Sequence, residues 1–317
     1  MKLARYVGNG QVEIVDEPRP SCPEGGVVIR TEACGLCSGE LMDWYMDRKI
    51  PHVLGHEVVG IITESQDDRF PVGGRMFAHH HAPCLACDLC RAGRFVHCEQ
   101  WKQTKLIPGG MAEYFAVPHN NLNDAFLVGD MQAKDAALIE PVACVCKSMR
   151  LAGNPTSDVA VVGLGTMGLI HCLCMPESVG LDTNLSRVEW AKTKGVDAFI
   201  PDEVTGKFDC IFVCPGSQGA FDFALKLARP EAIIVMFAPL PPGETLKIPQ
   251  EVYFEDIQIL NSYSCGPDDT KQAFEKYLAT GIVKGEDVVS DFVAIEALPY
   301  AYQKMKAGEI LKAMVVF

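Results

Sequence analysis

Apolar residues in this chain fall into short runs separated by Gly and Pro, and the spacing of those runs changes once. From Met1 to about Arg150 the runs are β-type, Val27 to Arg30 and Val58 to Thr63 among them, which predicts an irregular, mostly β first domain. A loop signal follows at Leu151-Ala152-Gly153-Asn154-Pro155. Beyond it Val159-Ala160-Val161-Val162 runs straight into Gly163-Leu164-Gly165-Thr166-Met167-Gly168, a buried strand entering a glycine turn. Further β-type segments stand at Ser178 to Leu181, Ala198 to Ile200, Cys210 to Val213, Ile233 to Phe237 and Ile257 to Leu260. Helical patterns at Leu185 to Lys194 and Ala220 to Ala228 lie between several of them. Strand and helix in alternation predict a doubly wound parallel sheet. Two helical stretches, Asp269 to Thr280 and Ile295 to Ala307, and a β run at Ala313 to Phe317 make a tail expected to return to the first domain. The division that results is 1–150, completed by 267–317, and 151–266.

A chain of 317 residues exceeds what one core usually serves, in keeping with two domains. With 48 % hydrophobic and 22 % charged residues the composition is that of a globular protein. The longest apolar run, Val159 to Met175, is interrupted by three glycines and His171 and is too short for a membrane helix. A net charge of -13 and no basic stripe exclude a general nucleic-acid binder. Met1 to Gln11 shows no apolar signal segment, so a cytoplasmic protein with reduced thiols is expected.

Four of the 14 cysteines change the picture. Cys84, Cys87, Cys90 and Cys98 have the two-residue gaps that let one turn of chain aim successive soft thiolates at a tetrahedral zinc, with a disulfide pair or free thiols as the rival reading. In the glycine turn, Gly163 suits the tight bend, Gly165 the approach of a pyrophosphate, and Gly168 close helix-on-strand packing, with Thr166 and Met167 opening the helix. A merely structural turn is the alternative. Asp182 closes the next strand, where an acid binds ribose hydroxyls and favours NAD over NADP, though it follows Gly168 by only 14 residues. Arg187 is a second candidate on the adenosine side.

Three more pieces, Ala33-Cys34-Gly35-Leu36-Cys37-Ser38-Gly39-Glu40, Gly55-His56-Glu57 and Leu138-Ile139-Glu140-Pro141, complete a distinctive order of motifs. Over essentially its full length the sequence resembles the zinc-dependent medium-chain dehydrogenases, particularly their sorbitol and polyol branch. The resemblance implies an α/β chain: a GroES-like, mostly β catalytic domain plus a Rossmann domain with a doubly wound, parallel six-stranded sheet. It implies two zinc ions per chain, one held by Cys37, His56 and Glu57 with Glu140 at or near the fourth position, the other by the four cysteines. It further implies hydride transfer between a secondary alcohol and a nicotinamide, with Glu57 and Glu140 at the reacting centre and Glu40 orienting it, and a homo-oligomer, dimer or tetramer. The partner is a small alcohol or ketone, most plausibly a polyol, sugar alcohol or cyclitol, with an amino alcohol such as threonine as the alternative.

Where that family carries Ser or Thr two residues after the zinc cysteine, this chain has Gly39, and Ser38 one place earlier is the candidate proton relay. Asp202 to Lys207 leaves little room for a crossover helix, so the nucleotide domain is abbreviated. These departures keep open a non-catalytic zinc and nucleotide-binding descendant. A zinc-free quinone reductase fits neither metal motif. His79-His80-His81 is not expected to bind metal, because three adjacent side chains do not face one ion without distortion.

Overall fold

The computed structural model describes residues 1–317, which divide into two compact units, Met1–Ala143 with Cys265–Phe317, and Cys144–Ser264. The division falls inside the helix Ile139–Leu151.

The second unit is built on a six-stranded sheet in the order Asp197–Phe199, Val179–Leu181, Val159–Val162, Phe208–Val213, Ala228–Met236, Gln258–Asn261. All five pairings are parallel. Sequence order reverses direction across the sheet at Val159–Val162, the arrangement of the Rossmann fold. Val159–Val162 is apolar throughout because a central parallel strand is covered on both faces. Helices Thr166–Cys174, Leu185–Thr193 and Gln218–Leu227 follow three of the strands. Asn184 and Ser217 cap the latter two by accepting the N–H groups of Ser186 at 2.9 Å and Ala220 at 3.2 Å. Only a 3-10 turn, Pro201–Glu203, stands between the strands Asp197–Phe199 and Phe208–Val213, so the crossover helix is missing.

The first unit holds a seven-stranded sheet whose path runs Asp291–Val293, Ala313–Val316, Val27–Gly35, Glu57–Ser65, Arg75–Ala78, Ala125–Leu127, with Tyr114–Val117 paired to Val27–Gly35 off that path. A second sheet joins Lys2–Gly8, Gln11–Asp16 and His52–Val53. The core draws on both stretches of chain: Leu36, Met46, Leu54 and Val58 pack in one cluster with Leu298, Tyr302, Ala313 and Val315. Register is what positions the site. Gly35 stands opposite Glu57 on one side and opposite Met314 on the other, so residues 35, 57 and 312–314 lie side by side. No helix is long and apolar enough to cross a membrane.

Candidate active site

Cys37 caps a 3-10 turn, Ser38–Leu41, directly after the strand Val27–Gly35, and His56 precedes the strand Glu57–Ser65 that pairs with it. The two strand ends therefore meet, and one ligand atom each from Cys37, His56 and Glu57 lies within 4.8 Å of the others. Soft sulfur, imidazole and carboxylate in one corner, Glu57 buried and Cys37 and His56 half-buried, form a donor set that fits zinc.

Neighbouring groups fix these three. Glu40 accepts the N–H of Gly55 at 2.7 Å and of Cys37 at 3.3 Å, and its Oε1 lies 3.5 Å from Nδ1 of His56. Tyr302, from the helix Leu298–Lys306, donates its hydroxyl to the Glu40 carbonyl at 2.8 Å. Burial alone would lower the His56 pKa, but Cys37 and Glu40 beside it outweigh that and hold it well above the ordinary value. Lys312, 1 % exposed, donates to the Leu36 carbonyl at 3.0 Å and pairs with Glu57, its Nζ 2.5 Å from Oε2. Glu57 sits above the usual carboxylate range because it is buried; Lys312 lowers it and the charge of Glu140 raises it further. Gly35 makes room for this pair, since a Cβ there would stand 2.1 Å from Glu57 Oε2.

Ser38 is exposed, and the backbone N–H of Gly39 donates to the Cys37 sulfur at 3.4 Å. A side chain at residue 39 would begin 3.5 Å from that sulfur, so glycine leaves the sulfur's flank open.

Glu140 groups with two residues that the spacing argument set aside. It shares a second cluster with His79 and His80, again within 4.8 Å. His79 is fully buried, with Nδ1 2.8 Å from Asp124 Oδ2. Burial, with His56, His79 and His81 alongside, drives the His80 pKa far below its ordinary value. His81 turns away, its Nδ1 2.8 Å from the Thr104 carbonyl and its ring 4.2 Å from that of Trp101. A concavity of about 660 Å³ lined by Lys134, Asp135, Phe274 and Lys284 lies elsewhere in this unit and holds none of these groups.

The four-cysteine lobe has zinc geometry. Sulfurs of Cys84, Cys87, Cys90 and Cys98 converge, with Cys87 and Cys90 3.5 Å apart and Cys84 and Cys90 3.9 Å apart. A tetrahedron with 2.3 Å arms has edges of about 3.8 Å, whereas a disulfide needs about 2.05 Å. All four thiols are free, which removes the disulfide reading. Amide donors from Ala86 and Cys87, each 3.4 Å from the Cys84 sulfur, lower that thiol to about 6, while burial pushes Cys90 up to about 12. A shared cation would let all four ionise. Leu85, inside the first gap, is bent to a φ of 59°, unusual for leucine.

In the second unit Gly163 has a φ of 91°, and Gly165 has open space where a Cβ would stand. A Cβ on Gly168 would lie 1.8 Å from the Gly163 carbonyl oxygen. Turn, approach and packing thus fall on the three glycines in that order. Thr166 is buried and Met167 half-buried at the helix start. Asp182 braces the turn: it accepts the N–H of Leu164 at 2.7 Å and of Asn184 at 2.8 Å, and Arg187 lies 3.5 Å from it. Brace and base of the turn are contributed by adjacent strands, which is how an acid only 14 residues from Gly168 still reaches it.

Sequence reasoning missed Lys312, Asp124 and the pair His79 and His80. Lys312 did leave a signal, a single cation in the apolar run Ile310 to Phe317.

The chain is similar to known proteins over nearly its whole length. Residues 23–126 match the family described as Alcohol dehydrogenase GroES-like domain. Sorbitol dehydrogenase of Bacillus subtilis is 27 % identical, over 99 % of this chain and 97 % of its own length. Among solved structures, galactitol-1-phosphate dehydrogenase from Escherichia coli superposes with a TM-score of 0.88 at 19 % identity, covering 100 % of both chains. An alcohol dehydrogenase from E. coli CFT073 complexed with NADH gives 0.86 at 21 % identity, over 100 % of this chain and 99 % of the other.

Proposed function

We infer that this chain, similar to the zinc-dependent medium-chain dehydrogenases, is an oxidoreductase moving a hydride between a secondary alcohol of the polyol or sugar-alcohol class and a nicotinamide cofactor. The observation that carries this is that one ligand atom each from Cys37, His56 and Glu57 lies within 4.8 Å of the other two. Zinc bound there supplies Lewis-acid polarisation of the substrate oxygen, which eases loss of the alcohol proton near neutral pH.

The chain's own residues do the rest. Cys37, His56 and Glu57 hold the metal, with Glu140 from the adjoining cluster. Glu40 orients the His56 ring through Nδ1, which leaves the other ring nitrogen for the ion. Lys312 steadies Glu57 and balances its charge. Ser38, exposed beside Cys37, hands the departing proton to water. Ser38→Ala is therefore expected to lower kcat by about a hundredfold and displace its pH profile, an effect at the small end for a proton-transfer group; a kcat and profile like those of the wild type would exclude the serine. On the nucleotide unit, Gly163, Gly165 and Gly168 with Thr166 and Met167 cradle the pyrophosphate, while Asp182 takes the ribose hydroxyls and favours NAD, with Arg187 at the adenosine edge.

Following reduced cofactor across a panel of polyols, amino alcohols and simple secondary alcohols tests the reading, with NAD and NADP run in parallel. Turnover should be best with a polyol and NAD. Turnover of threonine alone would move the substrate to the amino alcohols, and zinc-replete protein inert toward the whole panel would reject the enzyme reading.

A further inference from the structure

We propose that Tyr302 is a positioning residue of the metal corner: by one hydrogen bond from the far end of the chain it fixes Glu40, and Glu40 in turn aims Cys37 and His56. This rests on the reading above that the corner holds zinc.

Glu40 bridges the two segments that carry the ligands. Its Oε2 accepts the Cys37 N–H at 3.3 Å, while its Oε1 accepts the Gly55 N–H at 2.7 Å and lies 3.5 Å from His56 Nδ1. A carboxylate that reaches both segments can aim them only if its own backbone stays put. The turn it sits on, Ser38–Leu41, is four residues of 3-10 helix, a form whose internal hydrogen bonds are poorly aligned and which needs outside support.

Tyr302 supplies that support. Its hydroxyl donates to the Glu40 carbonyl at 2.8 Å across a sequence separation of 262 residues, and the side chain is fully buried. Packing alone does not call for the oxygen, because a phenylalanine ring fills nearly the same volume. A buried hydroxyl is costly unless bonded, and this one is bonded to the residue that touches both ligand segments. Burial pushes the phenol above its usual range, so it remains a donor wherever the protein is folded and working.

Other bonds locate the helix Leu298–Lys306 without reaching the ligands. Lys306 Nζ lies 2.6 and 2.7 Å from the two Asp43 oxygens, and Gln303 donates to the Gly10 carbonyl at 2.7 Å. Tyr6 offers a matched control. It too is fully buried, its ring centroid 6.5 Å from that of Tyr302, but its hydroxyl donates at 2.7 Å to Asp47, whose same oxygen accepts the Asn9 N–H.

The test compares Tyr302→Phe with Tyr6→Phe in zinc-loaded, full-length protein, where the four-cysteine ion serves as an internal standard for folding. The rate at which a chelator strips the corner zinc should rise about tenfold in Tyr302→Phe, the lower end for a partner that orients a metal ligand. That rate should stay at the wild-type value in Tyr6→Phe. Alcohol kcat should fall in Tyr302→Phe alone, with the cofactor KM unchanged. In a Glu40→Ala background Tyr302→Phe should add little, since the route through the carboxylate is already gone. Zinc release from Tyr302→Phe at the wild-type rate, equal acceleration in Tyr6→Phe, or a full additional effect on top of Glu40→Ala would each overturn the positioning role. Wild-type protein that holds only the four-cysteine ion would sink the zinc reading itself, and this role with it.

Discussion

Cys37→Ala is expected to lose one metal ion and nearly all alcohol oxidation while remaining folded. The half-buried cysteine caps a short turn and contributes little packing, so circular dichroism and thermal melting should stay close to wild type. Removing a Lewis acid forfeits several kcal/mol of transition-state stabilisation. About 4 kcal/mol corresponds to roughly a thousandfold in rate, so kcat/KM should fall at least that far, with cofactor binding to the separate glycine turn retained. Retention of activity and metal by the folded variant would show that the cluster around His56 is a structural ion-pair corner and not the reacting centre.

Cys98→Ser should act on stability rather than chemistry. Cys98 is 2 % exposed and its sulfur accepts the Cys84 N–H at 3.3 Å, in a small cluster with Val96 and Trp101. Four residues cannot make a core, and a structural zinc in such a lobe supplies about 10–16 kcal/mol of binding free energy that exists only in the folded state. Without one thiolate, the variant should lose one zinc, unpack the lobe and expose Trp101. Expected readouts are a red-shifted tryptophan emission, cleavage between residues 84 and 103 by low protease, and a melting temperature lower by ten degrees or more. Unchanged emission and melting would mean that hydrogen bonds among the thiols hold the lobe without metal. Reducing agent should leave the wild type untouched, because no disulfide is present.

What could be read from the sequence was local. The run Val159 to Val162 entering Gly163 carries its own strand, turn and helix in ten residues, and the structure places each there. The lobe was equally legible, because its ligand spacing is written in fifteen consecutive residues. Groups that meet only through sheet register were harder. Lys312 reaches Glu57 because Ala313–Val316 pairs with Val27–Gly35, which pairs in turn with Glu57–Ser65, and nothing near residue 57 announces it. The arrangement of the histidine run was hidden for another reason. Adjacent side chains in a strand point to opposite faces, but the strand ends at Ala78 and the chain bends through His80 and His81. That bend brings His79 and His80 to one cluster and sends only His81 away, a rotation that spacing does not encode.

The unit that carries the glycine turn is one unbroken stretch, 144–264, set into a unit whose own halves lie before and after it. On the ribosome, the inserted stretch is complete before Tyr302 and Lys312 exist, and at about 10 residues per second the interval is a few seconds. Until then Glu57 has no cation beside it, and the carbonyl of Glu40 lacks its tyrosine donor. A nascent chain therefore has every residue of its glycine-turn unit before it has Lys312, and premature release leaves polypeptide without the buried counter-charge of Glu57.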